Sequence, residues 1–344
     1  MGANMNKKPQ KFNNYIRCFS AVIFVLCLLY IGNELLLQPY LSKRAVNEAR
    51  DLYAAGKEDA STANETTADN TITPMLPSDT DTADNLEIAS SDELYDNEGR
   101  LLEFTQLLAL NQDVKGWLTV SGTNIDNPVL QSGKEDPEYY LYRNINKDND
   151  KAGSLFLNAD SILTENAKNL VIYGHNMKST NNMFHQLLRY DNLSFYKENP
   201  YINFDSIYTK GQWKIIAVIK ADADTDNNFF NFIKTSFTDD EDFLEYIYEL
   251  RIRSIYNIPV DANEKDELLT LVTCSYEMDN YRTVVVARKL RDTETLAIDV
   301  QKAVVNPLTL YPNSWYTYYG GTKPVILSFK EALEAGKIQW YTHK

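Results

Sequence analysis

Cysteine and histidine are both scarce in this chain, three of each among 344 residues. Cys18 and Cys27 lie inside an apolar run, which leaves Cys274 without a disulfide partner and excludes a disulfide framework. A structural zinc site would need nearly all of Cys274, His175, His185 and His343, and no short ligand spacing joins them, so neither metal nor cofactor is expected. Basic charge is also thin: 34 Lys and Arg face 48 Asp and Glu, a net charge of -14. No basic surface large enough to neutralise many phosphates is visible, which argues against nucleic acid as a partner. The Gly-rich turn and strand–helix alternation of a dinucleotide-binding domain are missing too.

What the chain does have begins at its N-terminus. Lys7, Lys8, Lys11 and Arg17 precede the apolar run Cys18 to Gly32, which continues across Asn33 and Glu34 to Leu35, Leu36 and Leu37. No small-x-small cleavage site follows, so 18–37 is expected to be a retained transmembrane anchor, with 1–17 in the cytoplasm and the rest outside the cell. Residues 41–55 are helix-compatible and close to the membrane. Between Lys57 and Glu98 stand twelve acidic residues against one lysine, with Thr, Ser, Ala, Pro74 and Pro77. Such a segment buries too little apolar surface to offset its ordering entropy, so 38–97 is read as a juxtamembrane stretch followed by a disordered acidic spacer.

Periodic structure starts near Glu98. Leu101, Leu102, Phe104, Leu107 and Leu108 predict an amphipathic helix. Short strands are expected at 117–120, 125–129, 154–157, 169–173, 201–208, 212–219, 268–274 and 281–290, and short helices at 183–188 and 193–196. Residues 229–237 and 240–254 read as a long helical insertion. Many short strands with few helices favour a small mixed barrel over a βαβ sheet.

Three residues carry chemistry. Cys274 ends the apolar strand Thr270-Leu271-Val272-Thr273-Cys274, where a thiolate held rigidly from behind can attack a carbonyl and form a thioester. The turn residues Glu277-Met278-Asp279-Asn280 fold the chain back, placing Arg282 beside the sulfur, where a guanidinium favours the thiolate and donates to an oxyanion. Read alone, Arg282 fits equally a surface arginine paired with Glu277 or Asp279. His175 follows the strand Asn169-Leu170-Val171-Ile172-Tyr173, after Gly174 has permitted a change of direction, and can move a proton near neutral pH. His185 and His343 are assigned no chemistry.

These residues resemble those of the sortase family, most closely its class B branch. Thr270 to Cys274 with Arg282 on the next strand carries the strongest likeness. Gly174-His175-Asn176-Met177 with Met183-Phe184 and Leu187, Asn111 to Leu118, and Thr123 to Val129 add to it, and the insertion before the cysteine strand points to class B. The likeness covers about 98–290. It implies an eight-stranded β-barrel, mainly β with helices, carrying an N-terminal helix and that helical insertion. It makes Cys274 the nucleophile, His175 the acid and then the base, and Arg282 the oxyanion donor, with Thr273, Asn176 and Ser275 as substrate-binding residues. The implied substrate is a secreted surface protein with a C-terminal sorting signal, cleaved after Thr. The implied acceptor is the amine of a lipid-linked peptidoglycan precursor, at the cell membrane of a Gram-positive-type bacterium. Class B members serve haem- or iron-protein anchoring or pilus assembly.

Residues 291–344 extend beyond that pattern and read either as an element that shapes the substrate groove or as an appendage that only adds stability. A cysteine peptidase that hydrolyses its acyl-enzyme and an inactive membrane-tethered binding module are the competing readings.

Overall fold

The computed structural model describes residues 9–68, 95–163, 167–224 and 230–341. Most of the expected spacer and His343 lie outside the described residues. The chain opens with helix α1 (Pro9–Gly32), one π-helical turn (Asn33–Leu37) and helix α2 (Gln38–Ala68). Phe19, Phe24 and Leu29 are each more than 60% exposed, on different sides of α1, a pattern suited to hydrocarbon on all sides. Within this helical run lies a stretch long and apolar enough to cross a membrane.

Helix α2 has a different periodicity. Ser42, Ala45, Ala49 and Tyr53 recur on one face and are buried against the folded domain. The Tyr53 ring stacks on Trp117, 4.6 Å between centroids, and its hydroxyl donates to Glu103 and Asp205. Arg50 pairs with Asp126 at 2.6 Å. At Gly56 a Cβ would collide with the Glu103 carbonyl, so only glycine lets the helix backbone lie this close.

The domain is a closed barrel of eight strands. In chain order these are β1 (Val114–Val120), β2 (Asp126–Leu130), β3 (Leu155–Leu157), β4 (Asn169–Tyr173), β7 (Tyr201–Ser206), β8 (Gln212–Asp222), β10 (Leu268–Cys274) and β11 (Tyr281–Lys289). Around the barrel they run β1-β2-β3-β4-β10-β11-β8-β7. The pairs β2–β3 and β4–β10 are parallel and the rest antiparallel. Parallel neighbours require crossovers. The long one between β4 and β10 carries the two-residue hairpin β5 (Asn176–Met177) and β6 (Asn182–Met183), helix α4 (Leu193–Glu198), strands β7 and β8, and helix α5 (Asp240–Arg253). The amphipathic helix expected from Leu101 resolves into a 3-10 turn (Leu102–Phe104) and α3 (Thr105–Leu110).

The insertion is less helical than its sequence reading. Residues 230–237 are irregular, because Phe230 and Phe237 turn in to pack on Tyr246. Asp239 accepts from Asp242 N–H and starts α5 there.

The segment after β11 is part of the packed structure. Buried Arg288 pairs with Asp261 and Glu294, and Arg291 with Asp261 and Asp266, which turns the chain back along the barrel. The short strand β12 (Val304–Val305) then joins β9 (Tyr256–Asn257). Helix α6 (Asn313–Tyr319) reaches the start of β11, and Phe329, Ala332 and Ile338 pack with Leu244 and Tyr248 of α5. Residues 321–328 are irregular. Val325 is 98% exposed, and a Ser328–Glu331 capping box begins α7 (Phe329–Glu334).

Candidate active site

The β10–β11 hairpin pairs Cys274 with Arg282. Ser275 N–H donates to Tyr281 O at 2.9 Å, so the neighbouring pair is hydrogen-bonded and Cys274–Arg282 is not. Non-hydrogen-bonded pairs bring their side chains closest, with Cα atoms about 4.5 Å apart. The turn closes with Asn280 in the left-handed region, φ 62°, which Asn tolerates better than most residues.

On the other side of β10, Tyr173 of β4 pairs with Val272, and Gly174 N–H donates to Val272 O. Extending that parallel register by two residues brings His175 level with Cys274. His175, just past the end of β4, therefore falls in a row with Cys274 of β10 and Arg282 of β11, with the cysteine in the middle and neighbouring strands about 4.8 Å apart. All three are half-buried. Gly174 serves this row by its size. Its φ is not positive, but a Cβ there would strike Leu155 and Phe184.

The row is not a tightly coupled triad. His175 Nε2 bonds Leu141 O at 2.8 Å, and its ring lies against that of Tyr142, 5.3 Å between centroids. Burial lowers the imidazole pKa, opposed by the Leu141 carbonyl and Asp150, so the neutral ring dominates at neutral pH. Arg282 has no carboxylate partner among the described residues. It donates only to Tyr281 O, at 3.0 Å, while Glu277 is taken by Lys220. The arginine's remaining donors stay available beside the sulfur.

The residues expected to bind substrate face inward. Thr273 is buried and donates to Gly174 O at 2.8 Å, tying β10 to β4 at the level of the row. Asn176 is buried, and its Nδ2 donates to Cys274 O at 2.8 Å. Because the Cys274–Arg282 pair is not hydrogen-bonded, that carbonyl points towards β4, which has already ended. The Asn176 amide thus takes the place of a missing ladder donor. Ser275 is buried in the turn, beside a Glu277 carboxyl that Lys220 holds below its ordinary range against the opposing effect of burial.

Sequence reasoning missed several supporting groups. His185 Nδ1 lies 2.5 Å from Asn176 Oδ1, one hydrogen bond behind the amide that caps Cys274. Buried Lys220 of β8 joins Asp191, Glu277 and Thr283 at 2.6–2.9 Å and so fastens the turn between Cys274 and Arg282. From the C-terminal segment, Ser314 bonds both Tyr281 and Asp222, and Trp315 stacks over Tyr281, the residue before Arg282. These contacts span 9 to 92 residues along the chain, beyond any local periodicity.

The sortase-domain family model matches residues 118–290, half of the chain. Sortase B of Listeria monocytogenes is 36% identical over 177 residues, covering 52% of this chain and 69% of the relative. The chain belongs to the sortase family, class B. Among solved structures, Clostridium perfringens sortase B aligns with TM-score 0.50 at 35% identity, over 54% of this chain and 99% of that one. A Staphylococcus aureus sortase B–substrate complex aligns with TM-score 0.50 at 31% identity, over 56% of this chain and 86% of that one. This class B sortase is a cysteine transpeptidase that works through an acyl-enzyme, and its apolar N-terminal helix fits a single-pass membrane protein.

Proposed function

We propose that Cys274 is the nucleophile, His175 the proton-transfer group and Arg282 the oxyanion donor of this sortase. The observation that carries the assignment is the row formed by β10, β11 and the segment that follows β4, with an arginine that no carboxylate among the described residues neutralises. The thiolate attacks the carbonyl of the scissile Thr peptide bond, and the developing oxyanion falls towards the guanidinium. His175, as imidazolium, protonates the leaving amine, and the thioester then stands opposite a neutral imidazole ready to take a proton from the incoming amine. Burial keeps the imidazolium fraction small, so only a minor share of the enzyme carries thiolate and imidazolium together.

The acyl donor is a secreted surface protein bearing a C-terminal sorting signal, and the acceptor is the amine of a lipid-linked peptidoglycan precursor. The catalytic unit spans about 98–290, anchored through 18–37 with the N-terminus in the cytoplasm. Thr273, Asn176 and Ser275 hold the row in place. The 291–344 extension supports β11 through Ser314 and Trp315.

Incubating the protein with a sorting-peptide library and an amine nucleophile, followed by mass spectrometry, tests this reading. The expected products are an acyl-enzyme at Cys274 and an amide with the added amine. Product formation undiminished by Cys274→Ala would remove the nucleophile assignment, and hydrolysis alone with amine in excess would remove transfer.

A further inference from the structure

We infer that the barrel sits directly on the phospholipid headgroups, with the side bearing β3, β4 and β10 facing the membrane, and that this holds the His175–Cys274–Arg282 row at the lipid surface. The functional part of the inference rests on the proposed transpeptidation, and the placement does not.

The argument starts from α2, which crosses the barrel strand by strand. Gly56 lies on Glu103, and Tyr53 bonds Asp205 of β7 and stacks on Trp117 of β1. Arg50 pairs with Asp126 of β2. Ala45 and Val46 line a crevice with Pro128, Asn144, Leu155 and Met183, which reaches β3. Moving towards the membrane along this helix therefore passes β7, β1, β2 and β3 in order. The next two strands around the closed barrel are β4 and β10, which lead to His175 and carry Cys274.

Distances agree with that order. Leu37, the last residue of the apolar run, precedes Ala45 by eight residues, about 12 Å of helix. β10 lies two strands beyond β3, at most about 10 Å. The cysteine strand and the end of the apolar run thus reach nearly the same level. A second contact supports this independently: Glu34, at the edge of the apolar segment, forms an ion pair with Lys151. Asp150 N–H donates to Tyr142 O in the same loop, and Leu141 O holds the His175 ring. Backbone spacing limits the path from Lys151 to Leu141 to about 13 Å.

The chemistry of this side suits anionic headgroups. Lys43, Arg44 and, in the β5–β6 hairpin, Lys178 are exposed here in a chain of net charge -14. Tyr40 and Tyr142, 63% and 58% exposed, supply the amphipathic rings common at membrane interfaces. The acidic segment 57–98 does not set the height of the domain. Near its start Asp59 accepts from Gln106, and just after it Leu101 N–H donates to Ile207 O, so both of its ends are fastened to the same domain. A docked barrel would meet a membrane-held acyl donor and a lipid-linked acceptor at their own level.

Full-length protein in vesicles of phosphatidylglycerol and phosphatidylcholine tests the placement. Photoreactive p-benzoylphenylalanine is introduced singly at Lys151, at Lys178 and at Lys210, the last paired with Glu103 beside Gly56, about 28 Å of helix beyond Leu37. Lipid adducts are expected at Lys151 and Lys178, at least fivefold above Lys210. Equal yields at all three positions would overturn the docking. A flexible insert of about twelve Gly and Ser residues between Leu37 and Gln38 should abolish the Lys178 adduct, and its survival would also count against docking. The same insert should slow transfer from a vesicle-anchored sorting substrate at least tenfold and leave soluble-peptide cleavage within twofold. Equal slowing of both substrates, or of neither, overturns the functional part. Absence of all activity in the parent protein would fall on the proposed transpeptidation, and the adduct pattern would still decide the placement.

Discussion

Asn176→Ala removes the amide that caps the Cys274 carbonyl. That carbonyl points away from Arg282 towards a strand that has ended, so no backbone N–H replaces the lost donor. Leaving a buried acceptor unpaired costs about 1–3 kcal/mol. At about 2–4 °C per kcal/mol for a domain of this size, the melting temperature should fall by roughly 2–12 °C. The consequence for catalysis is separate. Cys274 is the last residue of β10, and its position depends on this bond as well as on the Arg282 pairing. A displacement approaching 1 Å costs on the order of 100-fold, so acylation should slow by about 10- to 100-fold with little change in KM. Asn176→Asp should be at least as damaging, because it keeps the shape but turns an acceptor towards the carbonyl. His185→Ala leaves the Asn176 donor in place and should slow acylation by less than about fivefold. Thermal unfolding and rapid-quench acylation with a fluorogenic sorting peptide measure the two effects. A melting point lowered as expected with an acylation rate within twofold of the parent would refute the positioning argument.

Other substitutions probe the rest of the site. Because burial lowers the His175 pKa below its ordinary 6.5, the unfolded chain binds more protons below that pH. This group's contribution to stability is therefore complete above about 6.5 and falls as pH drops towards its folded-state pKa. Tyr142→Ala should move the His175 titration upward in an NMR pH series and raise the acid-limb pKa of acylation with it. Lys220→Met leaves the Asp191 and Glu277 carboxylates facing each other. Discounted for their partial exposure, the loss should be about 2–3 kcal/mol in urea unfolding at pH 7, shrinking at pH 4.5 as the acids protonate. Arg282→Lys should lower kcat by roughly 10- to 100-fold and spare the fold, since the arginine makes no ion pair with the described residues; global unfolding would give it a structural role instead. Trp315→Ala should destabilise by about 1–2 kcal/mol and slow acylation a few-fold through Tyr281, and an unchanged rate would reduce the extension to an appendage.

The sequence alone determined whatever short-range pattern could encode. The apolar segment with its basic flank, strands β4, β10 and β11, and the turn at Glu277 to Asn280 follow from local periodicity and residue type. So does the nomination of Cys274, His175 and Arg282, because each stands at a strand end or turn with a distinctive side chain. Where burial came from distant partners, local pattern misled. Residues 230–237 have helical spacing but fold as an aromatic plug on Tyr246. Gly174 suggested a turn and instead gives way to Leu155 and Phe184. Tertiary structure alone decided that Asn176 completes the ladder at Cys274 and that Glu277 pairs with Lys220 and not with Arg282. It also fastened the 291–344 segment behind Tyr281 and laid α2 across the barrel. Each of these depends on which strands close the barrel, and barrel closure is a long-range choice that no window of neighbouring residues contains.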